Sequence, residues 1–171
     1  MTTRLPPAAR RHLSIALLVP ALGCSAMGFD PAREKEGDLE RAEAAWAGQQ
    51  IEDYRYTYGF SCGMCLPIGP AVIDVHDGVV TAARNIGESD PLPVTVMGSV
   101  LTVPELFALI RRAVEHQADA LEVTYHATLG YPITVAIDWQ FGLADDEVWH
   151  SVAELRRISA LPAPQPAIRR R

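Results

Sequence analysis

Apolar residues recur along this chain with two different periods, and the switches between those periods mark its elements. From Asp38 to Gln49 they fall three and four apart, at Leu39, Ala42, Ala45 and Trp46. That spacing predicts a helix with one apolar stripe, N-capped by Asp38. From Ile51 to Phe60 the period drops to two: Tyr54, Tyr56, Tyr58 and Phe60 share one face and Arg55 and Thr57 the other, which is the pattern of a strand. Ala71–His76 and Val79–Arg84 flank Asp77-Gly78, a dipeptide that favours a type I′ turn and hence an antiparallel hairpin. Val94–Met97 is a weaker candidate for a short edge strand, outside the main count. Thr102-Val103-Pro104-Glu105 has the form of a capping box with proline in the first turn, and Leu106, Phe107, Ile110, Ala113 and Val114 carry the helix to about Gln117. Alternation returns at Leu121–His126, at Ile133–Trp139 and at Glu147–Ala153. The order is helix, three strands, helix, three strands. Connections too short for crossovers make the sheet largely antiparallel, and two helices cover only one face. The predicted class is α+β, a curved sheet with helices packed on one face.

The residues ahead of this domain follow another logic. Arg4, Arg10 and Arg11 precede an apolar run from Leu13 to Gly23, the layout of a bacterial secretion signal. A run of about 11 apolar residues falls short of the ~20 that span a bilayer, and Pro20 interrupts it. Ala21-Leu22-Gly23-Cys24 resembles a lipobox, which makes Cys24 the expected site of lipidation; cleavage without lipid, or no processing, are the alternatives. The expected organisation is a signal peptide over 1–23, a flexible tether over 24–37, one domain over 38–161 and a disordered Pro/Arg tail over 162–171. The expected address is the cell envelope, bound to the membrane through lipid on Cys24, with secretion as the alternative.

Charge narrows the partners. Residues 1–23 hold three of the 15 basic residues and none of the 21 acidic ones, so removing them leaves a strongly acidic chain. Nucleic acid is a poor partner for such a surface, since binding it rests on basic side chains. The remaining cysteines, Cys62 and Cys65, are expected to form a disulfide in an oxidising compartment, fastening a local turn. Two other readings of the pair are a redox centre and, with two of His76, His126 and His150, a zinc site. The segment Leu66-Pro67-Ile68-Gly69-Pro70 opposes the first, because it cannot supply the helix N-terminus that lowers a thiol pKa; nothing in the spacing gathers the histidines for the second. Asp138, Asp145, Asp146 and Glu147 are a calcium candidate without an EF-hand pattern. Ser61 and Ser151 lack a nucleophile motif, and no phosphate-binding loop or metalloprotease motif occurs. No cofactor and no metal are expected. Tyr54, Tyr56 and Tyr58 are either core or, if their sheet face is open, a ligand surface to which Tyr131, Trp139 and Trp149 add rings.

Several of these residues also carry a resemblance. Tyr54-Arg55-Tyr56 running into a cysteine pair, Leu106-Phe107, Tyr125, Leu129-Gly130-Tyr131-Pro132, Ile137-Asp138 and Asp145-Asp146-Glu147 resemble a family of small bacterial secreted proteins and lipoproteins known as a domain of unknown function. The resemblance spans nearly the whole domain and implies its fold and address, with no activity attached. His126-Ala127 and the wider spacing of Cys62 and Cys65 depart from the family pattern. A more distant likeness is to the peptidase-propeptide-type (PepSY-like) hairpin, which implies an inhibitor-like or chaperone-like role by analogy. The expected function is therefore a non-enzymatic binding or structural role with an envelope protein or small ligand as partner. The alternatives are a thiol-disulfide oxidoreductase using Cys62 and Cys65, and a protease-inhibitor-like or chaperone-like module presenting its hairpin or a sheet edge, for which a free edge along Ile133–Trp139 is the discriminator.

Overall fold

The computed structural model describes residues 31–143 and 146–160. The expected signal peptide, Cys24, Asp145 and the arginine-ended tail lie outside the described residues. The elements run α1 (Pro31–Ala47), β1 (Tyr54–Cys62), β2 (Ile68–His76), β3 (Val79–Asn85), α2 (Val94–Met97), α3 (Val103–Glu115), β4 (Ala120–Tyr125), β5 (Pro132–Asp138) and β6 (Glu147–Arg157). All six strands form one sheet in the order β3-β2-β1-β6-β5-β4, with every neighbouring pair antiparallel. Each half of the chain makes a three-stranded meander, and the halves join where the first strand pairs with the last. The architecture is the α+β sheet read from the sequence.

Two elements differ from expectation. α1 begins at Pro31 rather than Asp38, so half of the expected tether is helix. Arg33-Glu34-Lys35-Glu36 are good helix formers, a proline is tolerated in the first turn, and together they carry the helix through Gly37. Val94–Met97 is one helical turn instead of an edge strand: Pro93 stands at its N-cap, and the Pro93 carbonyl accepts the N–H groups of Val96 and Met97. A strand there would need a neighbour, and β3 already meets the 86–93 connector through the bond from Leu92 N to the Ala83 carbonyl. The capping box of α3 forms as expected. Thr102 Oγ1 accepts from Glu105 N at 3.4 Å and the Glu105 carboxylate accepts from Thr102 N at 2.7 Å.

The core lies between the helices and the sheet face that carries the tyrosines. Leu39, Ala42 and Trp46 of α1 and Leu106, Phe107, Ile110 and Ala113 of α3 are buried against it. Residues two apart on β1 meet residues two apart on the connector entering α3, in antiparallel order. Tyr54 Oη accepts from Val103 N (3.0 Å), Tyr56 Oη donates to the Leu101 carbonyl (2.5 Å) and Tyr58 Oη donates to the Ser99 carbonyl (2.9 Å). Three hydroxyls thus satisfy backbone groups that have no ladder partner, which a buried irregular segment requires. The turn from β4 to β5 closes the other end. Its Gly130 has φ +80° and sits against α1 so tightly that a Cβ would collide with the Ala42 carbonyl oxygen and come within 3.0 Å of Trp46 N. Only glycine fits that contact.

Candidate functional site

The alternation that builds the core puts a second set of side chains on the opposite face. Pairing aligns Ser61 with Trp149 and Gly59 with Ser151 across β1 and β6, Ala136 with Trp149 and Thr134 with Ser151 across β5 and β6, and Glu122 with Ala136 across β4 and β5. Among the described residues no helix covers this face. Its neighbours are small, so Trp149 stands out, 44 % exposed at the middle of the row. A Cβ on Gly59 would lie 2.6 Å from Ser151 Oγ and 3.8 Å from Trp149 Cζ3. Ser151 Oγ fills the place a side chain would take, the usual reason for glycine within a strand that another group approaches closely.

Beside Trp149 the face dips into a groove of about 440 Å3, bounded by Ser61, Cys62 and Gly63 on one side and by Ala120, Glu122, Ala136 and Asp138 on the other, with Glu147 at its end. Pockets of this size suit small ligands. The groove holds three carboxylates and no basic side chain. The far end of the same face is different. There Arg55 holds Asp74 with a two-pronged contact, Nη2 to Oδ2 at 2.6 Å, and Arg84 Nη1 stands 3.8 Å from the same carboxylate. The Arg55 guanidinium keeps the Asp74 carboxyl below its usual value. Charge at that end is neutralised by pairing, whereas in the groove it is not.

The residues expected to form a ligand surface fall elsewhere. Tyr54, Tyr56 and Tyr58 are almost completely buried, and Tyr131 is buried too, so the tyrosine face is core. Burial raises all four hydroxyl pKa values, that of Tyr54 to about 12. Tyr131 stacks on His126 with ring centroids 4.8 Å apart. Trp139 is half-buried against the core just beyond β5. Trp149 is thus not an extension of the tyrosine row; it occupies the reverse side of the sheet. The sequence did hold the signal, a lone aromatic among Glu147, Ser151 and Ala153 on the polar side of an alternating strand.

Cys62 ends β1 and Cys65 lies in the hairpin tip, their sulfurs at disulfide distance and their Cα atoms 5.4 Å apart. Both are half-buried, near the exposed Met64 and Leu66, and Cys62 lines the groove. No helix follows the pair, since β2 begins at Ile68. The histidines do not gather around it. His76 Nδ1 is 2.8 Å from Asp53, while His126 Nδ1 accepts from Leu129 N at 3.1 Å within its own turn. His150 faces the core, with Nδ1 2.8 Å from Tyr58 Oη. Because Tyr58 gives its one proton to Ser99, His150 must donate at Nδ1, which fixes the neutral ring tautomer. Burial lowers its pKa to about 4. Ser61 and Ser151 lie on the open face and His150 on the core face. Among the described residues no three Cys, His, Asp or Glu side chains are placed to hold a metal ion, and no helix is long and apolar enough to cross a membrane.

Fold and surface define a class: an α+β domain with one sheet face closed by helices and the other open around a tryptophan and a groove. The chain belongs to a family of unknown function, DUF6174, whose profile matches residues 38–157. No curated protein matches it. No solved structure does either.

Proposed function

We propose that this chain is a cell-envelope lipoprotein, lipidated at Cys24, whose domain binds a small ligand on its open sheet face without catalysing a reaction. The observation that carries the reading is Trp149, exposed beside a groove on a face that nothing among the described residues covers. Exposing a large aromatic ring to water is unfavourable, and such rings concentrate where a partner binds. The layout of residues 1–24 supports the address: α1 starts seven residues after Cys24, so a lipid there would hold the domain close to the membrane surface. The test is saturation-transfer NMR on a small-molecule extract of the envelope, comparing the wild type with Trp149→Ala. Ligand signals seen with the wild type and lost with the variant, at unchanged thermal midpoint, are expected. No Trp149-dependent signal from any extract contradicts the reading.

One observation favours a second reading, thiol-disulfide exchange with Cys62 as nucleophile and Cys65 as resolving thiol: Cys62 borders the same groove. A reduction potential within the roughly −120 to −270 mV range of oxidoreductases supports exchange, and one below about −300 mV supports a structural staple. The edge that serves as the discriminator for the inhibitor-like reading is Ile133–Trp139. β5 lies between β4 and β6, so that edge is occupied and the free edges are β3 and β4.

A further inference from the structure

Resting on the reading of Cys24 as a lipidated anchor, we infer that two apolar loops at one end of the sheet, 63–67 and 139–143, dip into the lipid bilayer surface to which that anchor ties the chain. Single exposed apolar residues are ordinary on a protein surface, whereas a cluster of them marks a contact. In the first loop Met64 is 79 % and Leu66 77 % exposed, and in the second Phe141 is 68 % and Leu143 53 % exposed. Strand pairing puts the two loops side by side. Cys62, where β1 ends, pairs with Val148, and Asp138, where β5 ends, pairs with Glu147. Both loops are held in place. Cys62 and Cys65, at disulfide distance, bracket Met64; Phe141 N donates to Asp119 Oδ2 at 2.6 Å, and Leu143 N to the Gln140 carbonyl at 3.1 Å. Apolar side chains fixed in water carry an unfavourable hydration that entry into a bilayer removes.

The occupant is set by where the chain enters the domain. α1 starts at this same end: Ala32 and Lys35 line one hollow with Gln117, Ala118 and Leu121, and Ala120, at the start of β4, pairs with Asp138. The helix then runs away from it, to the far turn where Gly130 meets Ala42 and Trp46. Cys24 stands seven residues ahead of Pro31, a reach of about 25 Å at full extension. α1 has 17 residues and is itself about 25 Å long. A lipid on Cys24 therefore meets the bilayer beside the two loops, and would reach the opposite end only by doubling back along the whole of α1. Neither loop contains a charged residue, and the charged groups next to them include the carboxylates of Asp119, Asp138 and Glu147. Burial of apolar side chains, not attraction to anionic headgroups, makes the contact. Docked in this way the sheet stands on its end, and the groove, which Gly63 and Asp138 line, opens beside the bilayer.

The test uses the whole chain recovered from the expressing bacteria, its mass measured for lipid on Cys24, on phosphatidylcholine vesicles with and without brominated acyl chains, which quench tryptophan on contact. Phe141→Trp places a reporter in the second loop. Val79→Trp places one at the opposite end, where Val79 is also exposed and pairs with His76 beside the start of β1. Bromine is expected to quench the added fluorescence of Phe141→Trp at least fivefold more than that of Val79→Trp. Combining Met64→Asp and Leu66→Asp with Phe141→Trp should abolish the difference while the lipidated chain stays on the vesicles with an unchanged thermal midpoint. Equal quenching of the two reporters, or quenching of Phe141→Trp that survives both aspartates, overturns the inference. Quenching that needs anionic phosphatidylglycerol and fades in high salt does so too, since it marks attraction between charges. If Cys24 carries lipid and Phe141→Trp is not quenched, the loop contact falls and the anchor stands. If Cys24 carries no lipid and Phe141→Trp is quenched on added vesicles, the anchor falls and the loop contact stands. With neither, both fall.

Discussion

His150 shows how a single residue records its surroundings. It alternates onto the core side of β6, meets the Phe60 ring at 5.0 Å and bonds Tyr58, so its charged form would have to be desolvated. The unfolded chain takes up a proton near 6.5, while the folded chain resists until about 4. Between those values the unfolded state binds more protons, so stability falls as the pH drops from 6.5 to 4, by about 3 kcal/mol in all, and is fully present above 6.5. Denaturant midpoints measured across that window should show the slope in the wild type and lose most of it in His150→Gln. The Asp74 carboxyl, held low by Arg55, contributes its own loss only at more acidic pH, below its usual value near 3.8. An equal slope in both proteins would mean that His150 is hydrated in the folded state. The residue scale was partly legible in the sequence. The alternation of Val148, His150 and Val152 put His150 on an apolar face, but its hydroxyl partner lies 92 positions away in the chain and could be found only once β1 and β6 were paired.

At the scale of elements, local rules sufficed where local chemistry decides. The Thr102 to Glu105 capping box and the Asp77-Gly78 hairpin formed as read, because both are set within four residues. Reading failed where local signals compete. Asp38 suggested the N-cap, although the helix formers Arg33-Glu34-Lys35-Glu36 carry α1 back to Pro31, and Val94–Met97 looked like a strand although Pro93 starts a helical turn there. The connector entering α3 depends on the tyrosine pegs rather than on its own sequence. Tyr56→Phe removes the donor to Leu101, leaving a partly buried carbonyl unmatched, and should cost about 1 kcal/mol. Amide exchange around Val100–Val103 should speed up at the same time, as hydrogen-exchange mass spectrometry would show; unchanged exchange contradicts the role given to the pegs. At the β1–β2 tip, the Cys62 to Cys65 loop is very short. Replacing both cysteines by serine should therefore lower stability by only about 2 kcal/mol on the chain-entropy estimate, read from the denaturant midpoint. A loss several times larger would show that the link organises more than its own turn.

Across the whole molecule, the decisive arrangement is the contrast between the two faces of one sheet. Pairing β1 with β6 puts the first and last strands at the centre. The face bearing Tyr54, Tyr56 and Tyr58 is consequently sealed by α1, α3 and the connector, and the reverse face is left with Trp149 above small side chains. The fold class was legible because periodicity and short connections allow few topologies. The site was not, since alternation tells which residues share a face within one strand, while strand order tells which faces join. Ser61, Ala136 and Trp149 are adjacent only through that order. The most direct measurement is chemical-shift mapping of the isotope-labelled domain as an envelope extract is added. Shifts concentrated at Trp149, Ser61, Ala136, Ser151 and Asp138, with Tyr54, Tyr56, Tyr58 and α3 unmoved, are the predicted result. Shifts confined to the helical side, or none on the open face, would contradict the account.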